Sequence, residues 1–186
     1  PDWIKGIACA LGSAGLAFLY SSDMIAFIVT VICSLIGYFG RTLSVRFGCN
    51  EYVGIAIGGF AAMVSAYGFY SHIEQDSLVY VLVCCTLFMI PGVPLINSVI
   101  DTINNHILSG ITRAIRTILI VGSMTLGMAM ALYFSPMPAF SFVDIKPHVL
   151  SIEQIIGSFT AAASFAVLFN APVRLLVSIG IGGVLC

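Results

Sequence analysis

Charge is almost missing from this chain. Its 186 residues hold seven Lys and Arg and eight Asp and Glu, so 8% are charged while 60% are hydrophobic. A soluble domain carries roughly a quarter charged residues. The scarcity excludes such a domain and makes this an integral membrane protein, with the lipid bilayer as its first partner. A net charge of −1 excludes a basic nucleic-acid surface. The six cysteines form no CxxC and no Cys/His metal spacing. Cys9, Cys33, Cys84 and Cys85 lie within apolar runs, where a small thiol is an ordinary buried residue. No metal and no other cofactor is expected. The motifs of intramembrane proteases are missing too: no GxSG-like elbow, no HExxH, and no second aspartate at membrane depth. The chain does not read as an enzyme, and no catalytic residue is assigned. It starts at Pro1, without an initiator Met or a signal-peptide n-region, and reads as trimmed there.

What is present is long apolar segments. The mean hydropathy is +1.10. A span needs about 20 mostly apolar residues, with a range of roughly 17–25. Spans are predicted at residues 3–20, 23–40, 52–70, 78–99, 111–133 and 152–169. A seventh begins at Val173 and is still running at Cys186, too short to cross as a helix. With the N-terminus cytoplasmic, the inner loops and span ends hold Lys5, Arg41, Arg46, Arg113, Arg116 and Arg174, and the outer loops hold only Lys146. That is a strong positive-inside bias. Asp23, Glu74, Asp76, Asp144 and Glu153 fall outside. Trp3, Tyr20, Tyr52, Tyr70 and Tyr133 sit at span ends, as interfacial aromatics do. Gly54, Gly58 and Ala62, and again Gly157 and Ala161, are spaced four apart, which predicts close helix packing.

The segment from Gly15 (GLAFLYSSDMIAFIVTVICSLIG) resembles the segment from Ser164 (SFAVLFNAPVRLLVSIGIGGVLC). In each, an apolar helix meets a short polar turn, Ser21-Ser22-Asp23 or Asn170-Ala171-Pro172, and a second apolar helix follows. An odd number of spans, five, separates the copies, so the second must enter the membrane in the opposite sense. The expected fold is all-α: a polytopic helical transporter with a five-plus-five inverted repeat, incomplete in its second unit. The expected units are residues 1–133, an external linker at 134–151, and the first two helices of the second unit at 152–186. A homo-oligomer or a partner chain could complete the second repeat.

The fourth span carries the most direct pointer to function. Pro91-Gly92-Val93-Pro94 interrupts it, and Asn97, Ser98 and Asp101 follow. Each proline removes a backbone N–H and clashes with the carbonyl four residues back, which predicts free carbonyls at Leu87 and Ile90. Broken helices with polar groups are how many transporters build a solute site. Pro91 lies about 20 Å along the span from Leu78, past the midplane toward the cytoplasm. A new half-helix starting near Pro94 would offer its amides and positive dipole end to a carboxylate. The expected substrate site is Pro91, Gly92, Pro94, Asn97 and Ser98, with Arg113 as a carboxylate clamp. Asp101, four residues after Asn97, is the one carboxylate near the break in sequence and the proton-coupling candidate; the alternative is an interfacial cap or a salt bridge to Arg113 or Arg116. Arg113 and Arg116 also read as positive-inside anchors, and His106, His72 and His148 as loop histidines.

Pro91-Gly92-Val93-Pro94-Leu95-Ile96-Asn97, then Asp101, then Ser109-Gly110 and Arg113, resembles the threonine/serine exporter family. Residues 166–174 (AVLFNAPVR) resemble the start of that family's second membrane unit. The resemblance implies a ten-helix exporter in the bacterial inner membrane that moves threonine and serine with the proton gradient. Related two-protein versions resemble a succinate exporter. Two positions depart from the family's pattern. Tyr20-Ser21-Ser22-Asp23 stands where glycines are frequent, and Arg116 stands where an acidic or small residue is expected. The extra cation favours a dicarboxylate as the alternative substrate. A reading from another class, a non-transporting membrane assembly module, would need the packing glycines but not paired prolines followed by Asn and Asp.

Overall fold

The computed structural model describes residues 2–21, 23–73, 75–135, 152–169 and 171–185. The expectations for Ser22, Glu74, Asp144, Lys146, His148, Asn170 and most of the external linker lie outside them. The described residues form eight α-helices: α1 Asp2–Ser21, α2 Met24–Arg46, α3 Glu51–Gly68, α4 Gln75–Leu87, α5 Gly92–Ile103, α6 Ile107–Phe134, α7 Ile152–Leu168 and α8 Leu176–Leu185. Short 3-10 turns at Tyr70–His72 and Val173–Leu175 precede α4 and α8. No strand occurs among the described residues.

Local sequence sets the ends. Asp23 caps α2 by accepting from the Ile25 amide at 2.9 Å, and Asn50 caps α3 by accepting from Tyr52. At the end of α2, Gly48 takes φ +89°, the Cys49 amide donates to the Ser44 carbonyl and the Gly48 amide to that of Val45. This is the left-handed cap that ends many helices.

α1, α2 and α6 are each long and apolar enough to cross a membrane. The pair α4–α5 passes as a fourth span, bent by 58° at its break. α3, with 18 residues, lies inside the length range for a span but carries Glu51 and four glycines. α7 and α8 are shorter apolar helices. Large apolar side chains such as Ile118, Leu126 and Met130 are exposed along α6, as they are on every long helix. Such surface is untenable in water and ordinary in lipid. The molecule is an all-helical membrane protein, with a kink where the paired prolines predict one.

Small residues set the helix crossings. A Cβ at Gly37 would lie 3.0 Å from the Gly58 carbonyl oxygen, and one at Gly54 would meet Val45, so α2 and α3 pack antiparallel through the predicted Gly54/Gly58 face. α3 and α6 run in the same direction, since Glu51 meets Arg116, Ala56 meets Gly127 and Phe60 meets Phe134. α1 crosses α7 at Gly15 and Gly157, which contact Ala161 and Leu19 respectively. Gly12 meets Ser164 at the next turn, so α1 and α7 are antiparallel. α4 runs beside α2, pairing Ser34 with Cys85 and Tyr38 with Phe88. These directions agree with a chain that reverses at each successive span. The Gly12 contact gives a direct check. A Cβ there would sit 3.3 Å from that of Ser164, close to disulfide geometry. With the native cysteines replaced, Gly12→Cys combined with Ser164→Cys should cross-link on oxidation in membranes. Gly12→Cys with Phe159→Cys should not.

Candidate functional site

The break is a turn of four residues, Phe88 to Pro91, between α4 and α5. It corrects one expectation. The carbonyls of Leu87 and Ile90 are not free: Ile90 N–H donates to Leu87 at 3.1 Å, and Gly92 N–H donates to Ile90 at 2.9 Å. Met89 N–H likewise takes the Thr86 carbonyl. Pro91 cannot donate back to Leu87, so the chain tightens and its neighbours do so through shorter loops, as helix ends often do. The carbonyls that the prolines were expected to free are therefore already engaged. α5 begins at Gly92, with Pro94 in its first turn, where a missing N–H costs little.

α5 then turns back into α6 through a left-handed cap. Asn105 adopts φ 61°, the His106 amide donates to the Asp101 carbonyl at 2.9 Å, and the Asn105 amide donates to that of Thr102. Gly110 lets the helices close: a Cβ there would overlap Thr102 Oγ1 and approach the Ser98 carbonyl oxygen to 2.9 Å. This hairpin brings the side chains of α6 over the first turn of α5.

A cleft of about 380 Å³ lies at that crossing. Val93, Pro94 and Ile120 form its apolar wall, and Glu51, Asn97, Arg113 and Arg116 supply its polar groups. Of the expected site residues, Pro94, Asn97 and Arg113 line the cleft together. Pro91 is buried in the turn before it, Gly92 is half-buried, and neither lines it. Ser98 is buried against α6, and its hydroxyl donates back to the Leu95 carbonyl. Asp101 lies behind Arg113 rather than on the wall. Its Oδ2 sits 3.1 Å from Arg113 Nη1 and accepts from Ser109 Oγ at 2.9 Å. His106 is exposed at the hairpin tip, and His72 is exposed in the turn before α4.

Glu51 is the carboxylate that sequence reasoning missed. It opens α3, far along the chain from the break, and the fold carries it onto the cleft wall. Its Oε2 lies 3.1 Å from Arg116 Nη2 and its Oε1 3.5 Å from Arg41 Nη2. The surplus cation at Arg116 is thus answered by an anion from another helix. One signal was present: an acidic residue just after the Asn50 cap, at a span end of a nearly chargeless chain. These ion pairs are partly exposed, Arg113 by 49% and Arg116 by 61%. Pairs of that kind are worth about 0–1 kcal/mol, so an incoming carboxylate can displace them.

The comparison with known families decides the kinship. Residues 1–135 match the family model described as "ThrE: Putative threonine/serine exporter". The chain belongs to the threonine/serine exporter family. The match ends where α6 ends, with Phe134 and Ser135. The whole cleft, from Glu51 to Ile120, lies inside the matched part of this family member. The family is one of exporters, not an enzyme class. No curated protein and no solved structure gives a match.

Proposed function

We propose that the protein is a secondary transporter that exports small carboxylate-bearing solutes, threonine and serine first among them, with the proton gradient as its driving force. The cleft carries this reading: a guanidinium (Arg113), an amide side chain (Asn97) and the first turn of a half-helix converge on one cavity, inside the part of the chain that matches an exporter family. A carboxylate docks against Arg113 and the positive end of α5. Asn97 hydrogen-bonds the carboxylate or the side-chain hydroxyl. Asp101 holds Arg113 at rest. A proton on Asp101 ends that hold, and a solute carboxylate on Arg113 ends it too, so one guanidinium links proton and solute. An anchor or assembly module has no use for such a cleft. The dicarboxylate alternative rests on Arg116, and the pairing of Arg116 with Glu51 weighs against it.

The antiparallel crossing of α1 and α7 supports the inverted repeat, and the basic side chains around the cleft support a cytoplasmic opening and a cytoplasmic N-terminus in the inner membrane. The test is flux in proteoliposomes with labelled threonine, serine and succinate, with and without a pH gradient. Gradient-stimulated movement of threonine or serine is expected, and Asn97→Ala should weaken apparent affinity by about 1–3 kcal/mol through an unsatisfied partner. Transport of succinate alone would move the assignment to dicarboxylates, and no transport of any of the three would leave the assembly module.

A further inference from the structure

The cleft holds more information about its solute than the position of Arg113. Three guanidinium groups, Arg41, Arg113 and Arg116, stand with two carboxylates, Asp101 and Glu51, in two clusters that each reach the cleft. One positive charge is left over. Of the two carboxylates only Glu51 lines the cavity, while Asp101 sits behind Arg113. Glu51 also has its oxygens divided between guanidiniums from two different helices, one of them, Arg116, itself on the wall. A solute carboxylate docked on Arg113 that also takes Arg116, three residues on along α6 and on the same wall, leaves Glu51 Oε2 without its partner, still inside the cavity. That oxygen then needs a cation.

We propose that Glu51 is the specificity-determining residue of the cleft, receiving the ammonium group of a zwitterionic amino acid when the solute carboxylate takes the arginines. The inference rests on the export reading above. It also accounts for the family departure at Arg116. With Glu51 present the cavity accepts one carboxylate and one ammonium. A dicarboxylate would press its second carboxylate against Glu51, and like charges at close range are repulsive. Without Glu51 the surplus rises from one positive charge to two, which suits a dicarboxylate. A single side chain on α3 therefore separates the two solute classes that the arginines alone would admit.

The experiment is a competition series on labelled threonine flux in proteoliposomes, with unlabelled threonine, N-acetylthreonine and succinate as competitors. N-acetylthreonine keeps the carboxylate and hydroxyl and lacks the ammonium. In the wild-type protein it should compete about tenfold or more weakly than threonine, the loss of one charge-assisted hydrogen bond. In Glu51→Gln that discrimination should vanish, and the succinate-to-threonine ratio should rise about tenfold. Equal competition by threonine and N-acetylthreonine in the wild-type protein overturns the proposal, and this arm needs no variant to fold. An unchanged ratio in Glu51→Gln, with all fluxes lowered together, overturns it as well and leaves Glu51 as a clamp on Arg41 and Arg116. Wild-type vesicles that carry none of threonine, serine and succinate would overturn the export reading itself, and the role of Glu51 with it.

Discussion

Asp101→Asn should insert and express like the wild-type protein yet lose the response of export to a pH gradient. Asparagine keeps the size and the hydrogen-bonding capacity of aspartate and removes its titratable charge. In the resting protein Asp101 accepts from Ser109 and pairs with Arg113, both on α6. Losing one partly exposed pair costs about 0–1 kcal/mol, too little to unfold the bundle. The hairpin that carries Asp101 is held by its left-handed cap and the close approach at Gly110, neither of which uses the carboxylate. In the variant, Arg113 remains free for the solute whatever the pH. Exchange of labelled for unlabelled threonine without a gradient should therefore persist, while gradient-driven net flux falls toward the level without a gradient. The measurement is the pair of fluxes in the same vesicles. Wild-type gradient stimulation in Asp101→Asn would reduce Asp101 to an interfacial partner of Arg113, and the coupling group would have to be sought elsewhere.

The largest stability effect is expected at Gly127. A Cβ there would overlap the Ala56 carbonyl oxygen and come within 2.8 Å of its carbonyl carbon and 3.0 Å of its Cα. The obstruction is helical backbone in the second turn of α3, so no side-chain rotation relieves it, and α3 and α6 must separate. Overpacking of this kind costs about 1–3 kcal/mol or more. Gly122, five residues earlier on the same helix, has nothing within 4 Å of a built Cβ. Alanine at Gly122 should be neutral or slightly stabilising, because alanine is favoured over glycine in a helix by up to about 1 kcal/mol. Thermal inactivation in detergent should separate Gly127→Ala from Gly122→Ala clearly. Glu51 and Arg116 join the same two helices, so Gly127→Ala should also reduce threonine flux. Equal stability of the two variants would mean that α3 and α6 do not meet at Ala56.

Much of this molecule was legible as sequence because its signals are local. Apolar length marks helices, and Pro91 with Pro94 marks a bend, each acting within a turn of its own position. Spacing of small residues marked Gly54, Gly58, Gly157 and Ala161 as contact points, since a helix face repeats every three or four residues. The fate of the carbonyls at the break was not legible, because it depends on how the turn closes after the proline. Leu87 and Ile90 were expected to be free, and neighbouring amides took both.

The sequence by itself determined that this is a nearly uncharged helical membrane protein with one broken helix, and that Asn97, Asp101 and Arg113 follow the break within two helical segments. Only the tertiary structure decided which charges meet. Ser98, one position from Asn97, was turned onto α6, and Asp101 was placed behind Arg113 instead of on the cavity wall. Glu51 was brought in on α3 to stand between Arg41 of α2 and Arg116 of α6. The physical reason is that an ion pair depends on distance in space, and parallel packing of α3 on α6 sets that distance for residues 65 positions apart, which no periodicity within either helix encodes.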